Sequence, residues 1–191
     1  MIILTAFNEG HRQCGELCLE SLIKHNQKFR GDQYGYAVIP KKFKRPPSWF
    51  KIGFILKHLE EGHDLVMWTD ADTIVRGTTE IAPRVGTADL NISVDDNGIN
   101  CGVMAWRNSA KVVEFLRSID NNSEEFTDHI WWEQAAIMAR LDEITVNYQT
   151  KSNFNAYPHD ATPDSWVLHW PGFTLEEKIP LMEQALKEAY L

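Results

Sequence analysis

Apolar and polar positions along the chain fall into blocks of two periods. "IILTAF" (residues 2–7) is an apolar run too short for a helix and predicts a buried first strand, with "NEGHRQ" as the loop behind it. Over residues 14–26 the period lengthens, and Leu17, Leu19, Leu22 and Ile23 fall largely on one helical face. "YGYAVIP" (34–40) predicts a second strand, stopped by Pro40. Residues 48–62 return to helical spacing, with Ser48 as N-cap and Gly62 as the closing residue. "HDLVMWTDADTIV" (63–75) then reads as strand, polar turn and strand.

The second half continues in the same way. Residues 89–96 and 100–106 predict strands, and 109–120 a helix capped by Ser109. Residues 129–143, rich in Ala, Leu, Met, Gln and Glu, predict a long helix, and 144–149 a strand. After the loop "TKSNFNAYPHDATPDS", "WVLHWPG" is a short strand closing on a Pro-Gly turn. Residues 175–190 predict a surface helix with Pro180 inside its first turn. Alternating strands and helices at the start predict an α/β protein with a mostly parallel central sheet flanked by helices. In such sheets ligands bind beyond the carboxyl ends of the strands, where "TAFNEG" and "WTDAD" both lie.

At 191 residues the chain has room for one sizeable core, so residues 1–191 are expected to form a single domain. The formal net charge of −8 argues against nucleic acid or an anionic membrane as the main partner. "PKKFKRPP" (40–47) is the one dense basic cluster and reads as a proline-stiffened loop. No apolar run approaches the roughly 18–20 residues a bilayer span needs. "MIILTAFNEG" lacks a basic leader and a small-residue cleavage site, so it is not read as a signal peptide. Cys14, Cys18 and Cys101 are too sparse for a disulfide framework; reduced buried thiols and a cytoplasmic setting are expected.

Asp70 and Asp72 place two like charges one residue apart at the end of "LVMW". Aspartates often cap turns and helices, but the β-branched "TIV" that follows starts no helix. The other reading is a hard divalent cation held by both carboxylates with the oxygens of a diphosphate. On extended backbone, side chains at i and i+2 point to the same side, so both reach one ligand.

"VMWTDADTIV" (66–75) resembles the metal-binding strand end of glycosyltransferases with the Rossmann-like GT-A fold. "NGINCGVMAWRNS" (97–109), "WWEQAAI" (131–137), "SNFNAYP" (152–158) and "VLHWPG" (167–172) resemble later segments of these enzymes, in the same order. The set is most similar to the α-galactosyl, mannosyl and xylosyltransferase family, and also to the glycogenin-like galactosyl and glucosyltransferases. The resemblance implies transfer of a hexose from a nucleotide diphosphate sugar, UDP-linked before GDP-linked, to a carbohydrate acceptor hydroxyl, with retention.

The same resemblance implies roles for individual residues. Asp70, Asp72 and His169 would hold manganese (Mn2+) or magnesium (Mg2+), with Asp70 shared with the nucleotide. Thr5 and Asn8 would line base and ribose, and Lys51 would lie near the nucleotide. Asn100 would hydrogen-bond the donor sugar, Gly172 would close the donor site, and Glu133 and Gln134 would sit beneath the sugar. Several of these residues also have plainer readings: Lys51 as an exposed helix lysine, His169 as a core histidine, Trp131 and Trp132 as core. One of that tryptophan pair, or Trp106, is alternatively a platform for the sugar. His11 and Arg12 read equally as phosphate contacts or surface groups, and Asp95 and Asp96 as sugar contacts or as the "DDNG" turn.

Two rivals stand beside this reading. A sugar-nucleotide pyrophosphorylase would need a Gly-rich basic loop after the first strand, which "TAFNEGHRQCGE" lacks. A non-catalytic sugar-binding module would have no reason to keep Asp70, Asp72, Gln134 and His169 together. The expected source is a compact microbial or viral enzyme, with a catalytic domain cut from a longer protein as the alternative.

Overall fold

A computed structural model describes residues 1–190 of the chain. Its first half follows the pattern: β1 (Ile2–Phe7), α1 (Arg12–Lys28), β2 (Gln33–Val38), α2 (Phe50–Glu60) and β3 (Leu65–Thr69). β1 pairs in parallel with β2 on one side and β3 on the other. There follow β4 (Thr73–Val75), β5 (Leu90–Asp95), β6 (Gly98–Arg107), α3 (Ala110–Asn121) and α4 (Trp132–Met138). The chain closes with β7 (Val146–Tyr148), α5 (Lys151–Phe154), β8 (Val167–His169) and α6 (Leu175–Ala189). The main sheet runs β2-β1-β3-β6-β5-β7, and β6 alone runs against its neighbours, so the sheet is mostly parallel.

Period-two alternation decides which side chains meet which helices. Ile2, Leu4, Val66, Trp68, Met104 and Trp106 face α2 and α3, against Ile52, Ile55, Leu59, Phe115 and Leu116. Ile3, Met67, Val103 and Ala105 face the other way, against Leu22, Phe154 and Trp166. Each fully buried Leu or Ile contributes about 2 kcal/mol relative to exposure. Trp106 belongs to this core and is fully buried, so it is no sugar platform. No helix among the described residues is long and apolar enough to cross a membrane.

Three local expectations change. Ser48 is not an N-cap, because α2 is entered through a 3-10 turn at Pro47–Trp49, where proline supplies the helical φ without an N–H to satisfy. The helix expected over 129–143 contracts to Trp132–Met138, since Trp132 has φ 41° and the chain must then turn into β7. Pro180 lies in the second turn of α6 rather than the first. The helix instead begins at a capping box, where Thr174 Oγ1 accepts from Glu177 N–H and Glu177 Oε2 accepts from Thr174 N–H. The strand expected after the aspartates is present as β4, which lies outside the main sheet and pairs antiparallel with β8, a pairing on which the site depends.

Candidate active site

The rim is built by an irregularity in β6. Ile92 of β5 pairs with Met104, yet the next residue, Ser93, pairs with Asn100, so Cys101, Gly102 and Val103 bulge out of that ladder. Their backbone groups are taken up by side chains of the site and, in one case, by the backbone of Asp70. Cys101 N–H donates to Gln134 Oε1 at 3.1 Å, and Cys101 C=O accepts from Lys51 Nζ at 3.2 Å. Gly102 N–H donates to Asn100 Oδ1 at 2.9 Å, while Gly102 C=O accepts from Asp70 N–H at 2.8 Å. This last bond ties the turn after β3 to the bulge.

The β4–β8 pairing sets Thr73 opposite His169, and Trp170 N–H donates to Asp72 C=O at 3.1 Å. Asp72 and His169, 97 positions apart in sequence (169 − 72), are thereby brought together, with Nε2 3.4 Å from Asp72 Oδ1. One donor atom from each of Asp70, Asp72 and His169 lies within 4.8 Å of the others.

A chain of hydrogen bonds fixes the imidazole. Asn100 Oδ1 must be an acceptor because Gly102 N–H points at it. Asn155 Nδ2 donates to that same oxygen at 3.0 Å, so Asn155 turns its own Oδ1 to His169 Nδ1, at 2.9 Å. Nδ1 therefore carries a proton, and Nε2 is the ring nitrogen turned to Asp72. In its neutral form the ring would offer the Nε2 lone pair to a cation held between it and the carboxylate. The donor set, two carboxylates and an imidazole, fits manganese or magnesium, and the Asn155 contact is the outer hydrogen bond such a histidine needs.

Each aspartate also has its own ammonium. Lys51 Nζ lies 3.0 Å from Asp70 Oδ1 and 2.9 Å from Glu133 Oε1, and Trp68 Nε1 donates to Asp70 Oδ1 at 2.6 Å. Lys51 is 3% exposed and Glu133 is 2% exposed, so the exposed-lysine reading fails. Burial pushes the Lys51 pKa down, but Asp70 and Glu133 outweigh it and raise it, keeping the ammonium charged. Lys178 of α6 donates to Asp72 Oδ2 at 2.7 Å. Burial pushes the Asp72 carboxyl up, and His169 and Lys178 more than reverse this, holding it well below the usual carboxylate range.

These groups divide two cavities. One of about 610 Å³ is walled by Asn100, Glu133, Gln134, Tyr157, His169 and Gly172. The other, about 350 Å³, lies beside Phe7, Asn8, His11 and Trp68. Ser48, Lys51, Asp70, Asp72 and Trp132 border both. Asn100 donates to Asp95 Oδ2 at 2.8 Å and to Tyr157 Oη at 2.7 Å, joining Asp95 to the wall. Asn8 also caps the turn at Glu9–His11. Gly172, at φ 77°, occupies the left-handed region. Trp131 and Trp132 are 40% and 43% exposed on the first cavity rather than core.

Thr5 is not brought to either cavity. Strand alternation turns it beneath α1, fully buried, with Cys18 Sγ 3.6 Å from its hydroxyl. Arg12 pairs with Glu9 and Glu16 on the surface. The three cysteines are free and buried, and burial pushes their thiols up. Sequence reasoning missed Lys178, Asn155 and Tyr157. Lys178 had a signal: it stands four residues before Met182 and seven before Ala185, on the buried stripe of α6.

Gly102 allows the site its close packing. A Cβ there would meet His169 Cε1 at 2.2 Å and Asn100 Oδ1 at 2.9 Å. Gly102→Ala is expected to cost about 1–3 kcal/mol and to displace His169. Manganese titration followed by electron paramagnetic resonance should show weakened binding in a folded protein; unchanged affinity would refute the role given to this contact.

A mostly parallel sheet with one reversed strand, an aspartate pair at the end of β3 and a histidine returned to it by β8 define a protein with the GT-A glycosyltransferase fold. The structure is similar to a glycosyltransferase involved in the glycosylation of the major capsid of PBCV-1, with TM-score 0.77, 14% identity, and 96% of this chain and 100% of that one covered. It is also similar to GlyE of Streptococcus pneumoniae TIGR4, with TM-score 0.64, 16% identity and coverage of 97% and 60%. The galactosyltransferase LgtC, solved with donor and acceptor sugar analogues, gives TM-score 0.63, 13% identity and coverage of 98% and 96%. No family model and no curated protein sequence matches the chain. At these identities the likeness carries the fold, and the chemistry rests on the site.

Proposed function

We propose that the chain is a single-domain, metal-dependent glycosyltransferase that moves a hexose from a nucleotide diphosphate sugar to an acceptor hydroxyl on a carbohydrate, with retention. The observation that carries this reading is the convergence of Asp70, Asp72 and His169, with both aspartates on the wall between two cavities. That position suits a diphosphate, with base and ribose on the side of Asn8, His11 and Trp68 and the sugar on the side of Asn100 and Gln134. UDP is the favoured carrier on the family resemblance, and GDP the alternative. Three buried free thiols support a reducing, cytoplasmic setting.

Asp72 Oδ1 and His169 Nε2 would hold manganese or magnesium together with Asp70. When bound, the ion supplies Lewis-acid neutralisation of the charge growing on the leaving diphosphate. The chain's own residues orient the donor. Asn100 is locked by Asp95, Tyr157, Asn155 and Gly102 N–H, which take both its amide hydrogens and both its carbonyl lone pairs, so it would meet a sugar hydroxyl only by exchanging one of these partners. Trp131 and Trp132 offer flat faces to a pyranose. Gln134 Oε1 is held by Cys101 N–H, which directs its NH2 group to the sugar side. Glu133 is the one carboxylate adjacent to Gln134, and the Lys51 ammonium 2.9 Å away weakens it as a nucleophile. This pairing supports front-face attack over double displacement, with the leaving oxygen taking the acceptor proton.

A panel of UDP- and GDP-sugars tested for hydrolysis with and without manganese checks the reading. One donor is expected to be hydrolysed only with the metal, and calorimetry should show binding of that donor to depend on it. Metal-dependent binding without hydrolysis or transfer would favour the non-catalytic module, and no binding of any donor would end the proposal.

A further inference from the structure

At the opposite end of β3 from the aspartates, the close of α2 fixes two imidazoles side by side. Gly62, at φ 92°, reverses the chain. Gly62 N–H donates to Leu59 C=O at 3.0 Å and His63 N–H to His58 C=O at 3.2 Å. This paired closure packs the helical residue three before the cap against the second residue beyond it, a contact usually made by apolar side chains. Here those residues are His58 and His63, with ring centroids 5.5 Å apart and planes at 51°. The residue at the cap is Glu61, whose Oε2 lies 3.1 Å from His58 Nδ1. Asn108 Nδ2 clamps the turn from behind, donating to Leu59 C=O at 2.7 Å and His63 C=O at 3.0 Å.

One ligand atom from each of His58, Glu61 and His63 lies within 4.8 Å of the others. A tetrahedral zinc ion with bonds of about 2.0 Å sets its ligand atoms about 3.3 Å apart and two imidazole centroids about 5 Å apart. The observed 3.1 Å and 5.5 Å separations are close to those values. His58 Nδ1 is shielded from water yet makes no hydrogen bond of acceptable geometry, despite the nearby carboxylate. We propose that His58, Glu61 and His63 form a second metal site, for zinc or another borderline divalent cation, with a fourth position open to solvent.

The site differs in chemistry from the aspartate site. Two imidazoles and one carboxylate select zinc, nickel or copper, whereas two carboxylates and one imidazole also serve manganese and magnesium. The five residues of β3, roughly 16 Å of strand, separate the two, so neither ion shares a ligand with the other. Glu61 is exposed and His63 partly so, which leaves an entry path. An ion here ties the end of α2, the helix that carries Lys51, to the start of β3. It binds the folded chain, where the three ligands are already set, more tightly than the unfolded one, and so stabilises it by mass action.

The test uses the full chain without an affinity tag, and zinc chloride or cobalt chloride as the probe. Calorimetry on the wild type should give two zinc equivalents, and the melting temperature in zinc should exceed that in chelator. His63→Ala, at a partly exposed position, should melt as the wild type does in chelator and bind zinc at this site at least about tenfold more weakly, the low end of the cost of disturbing even outer-shell groups. Glu61→Gln provides a second variant at an exposed residue. Bound cobalt should show the strong visible absorption of a tetrahedral centre in the wild type, reduced in both variants. Zinc stoichiometry and affinity unchanged in His63→Ala and Glu61→Gln would overturn the proposal, as would a single wild-type equivalent that His169→Gln removes.

Discussion

Asp72→Asn is expected to abolish metal-dependent donor binding and, at the same time, to destabilise the protein by about 3 kcal/mol. From the sequence alone, removing one of two neighbouring negative charges should relieve repulsion and leave the metal-free protein slightly more stable. The structure reverses that sign. Asp70 is neutralised by Lys51 and Asp72 by Lys178, so the two carboxylates no longer face each other uncompensated. Removing the Asp72 charge strands the Lys178 ammonium, 5% exposed, with no carboxylate. Breaking a buried pair costs about 3–5 kcal/mol, and the low end applies because Asp72 keeps some solvent contact. Adding Lys178→Met removes the stranded charge. The double variant should recover most of the melting temperature yet still fail to bind donor in manganese. Donor binding equal to wild type in Asp72→Asn would show that the metal assignment is wrong; a double variant no more stable than the single would show that Lys178 is not the cause.

The case of Asp72 shows what the sequence carries and what it does not. The aspartate pair was legible because a strand end is a local pattern, and β3 does end at Thr69. His169 was legible only through its neighbours in "VLHWPG" and through order along the chain, since nothing local says that β8 pairs with β4. Lys178 was not read, because a lysine inside an acidic helix looks like a solvated face unless the stripe through Met182 and Ala185 is followed back to it. Asn155 and Tyr157 lay within the quoted "SNFNAYP", but their partners are 55 and 57 residues away and are set by the β6 bulge. The bulge left no mark except Gly102. Helix 129–143 was overextended for a related reason: propensity favours its continuation, and the docking of β7 on β5 overrides it.

Lys51→Met is the second large effect, and it should unfold the site before it changes any contact with a ligand. The Lys51 ammonium lies between Asp70 and Glu133, and its loss leaves both carboxylates uncompensated. The two do not share the penalty equally. Asp70 is 31% exposed at its side chain and regains water, whereas Glu133 is 3% exposed and does not. Most of an expected loss of about 3–5 kcal/mol therefore belongs to Glu133. A double-mutant cycle with Glu133→Gln separates the terms. Glu133→Gln alone leaves Lys51 its bond to Asp70 and should cost less than Lys51→Met, and the double variant should be more stable than Lys51→Met alone. Chemical denaturation of the four proteins reads the coupling directly. If Glu133→Gln gives no recovery in the Lys51→Met background, the buried ion pair is not what Lys51 maintains, and its place in the site falls back on the nucleotide contact that the family resemblance implies. If recovery is large and the double variant also regains manganese binding, then Lys51 serves the metal site by neutralising Glu133, leaving Asp70 free to turn its second oxygen towards the cation.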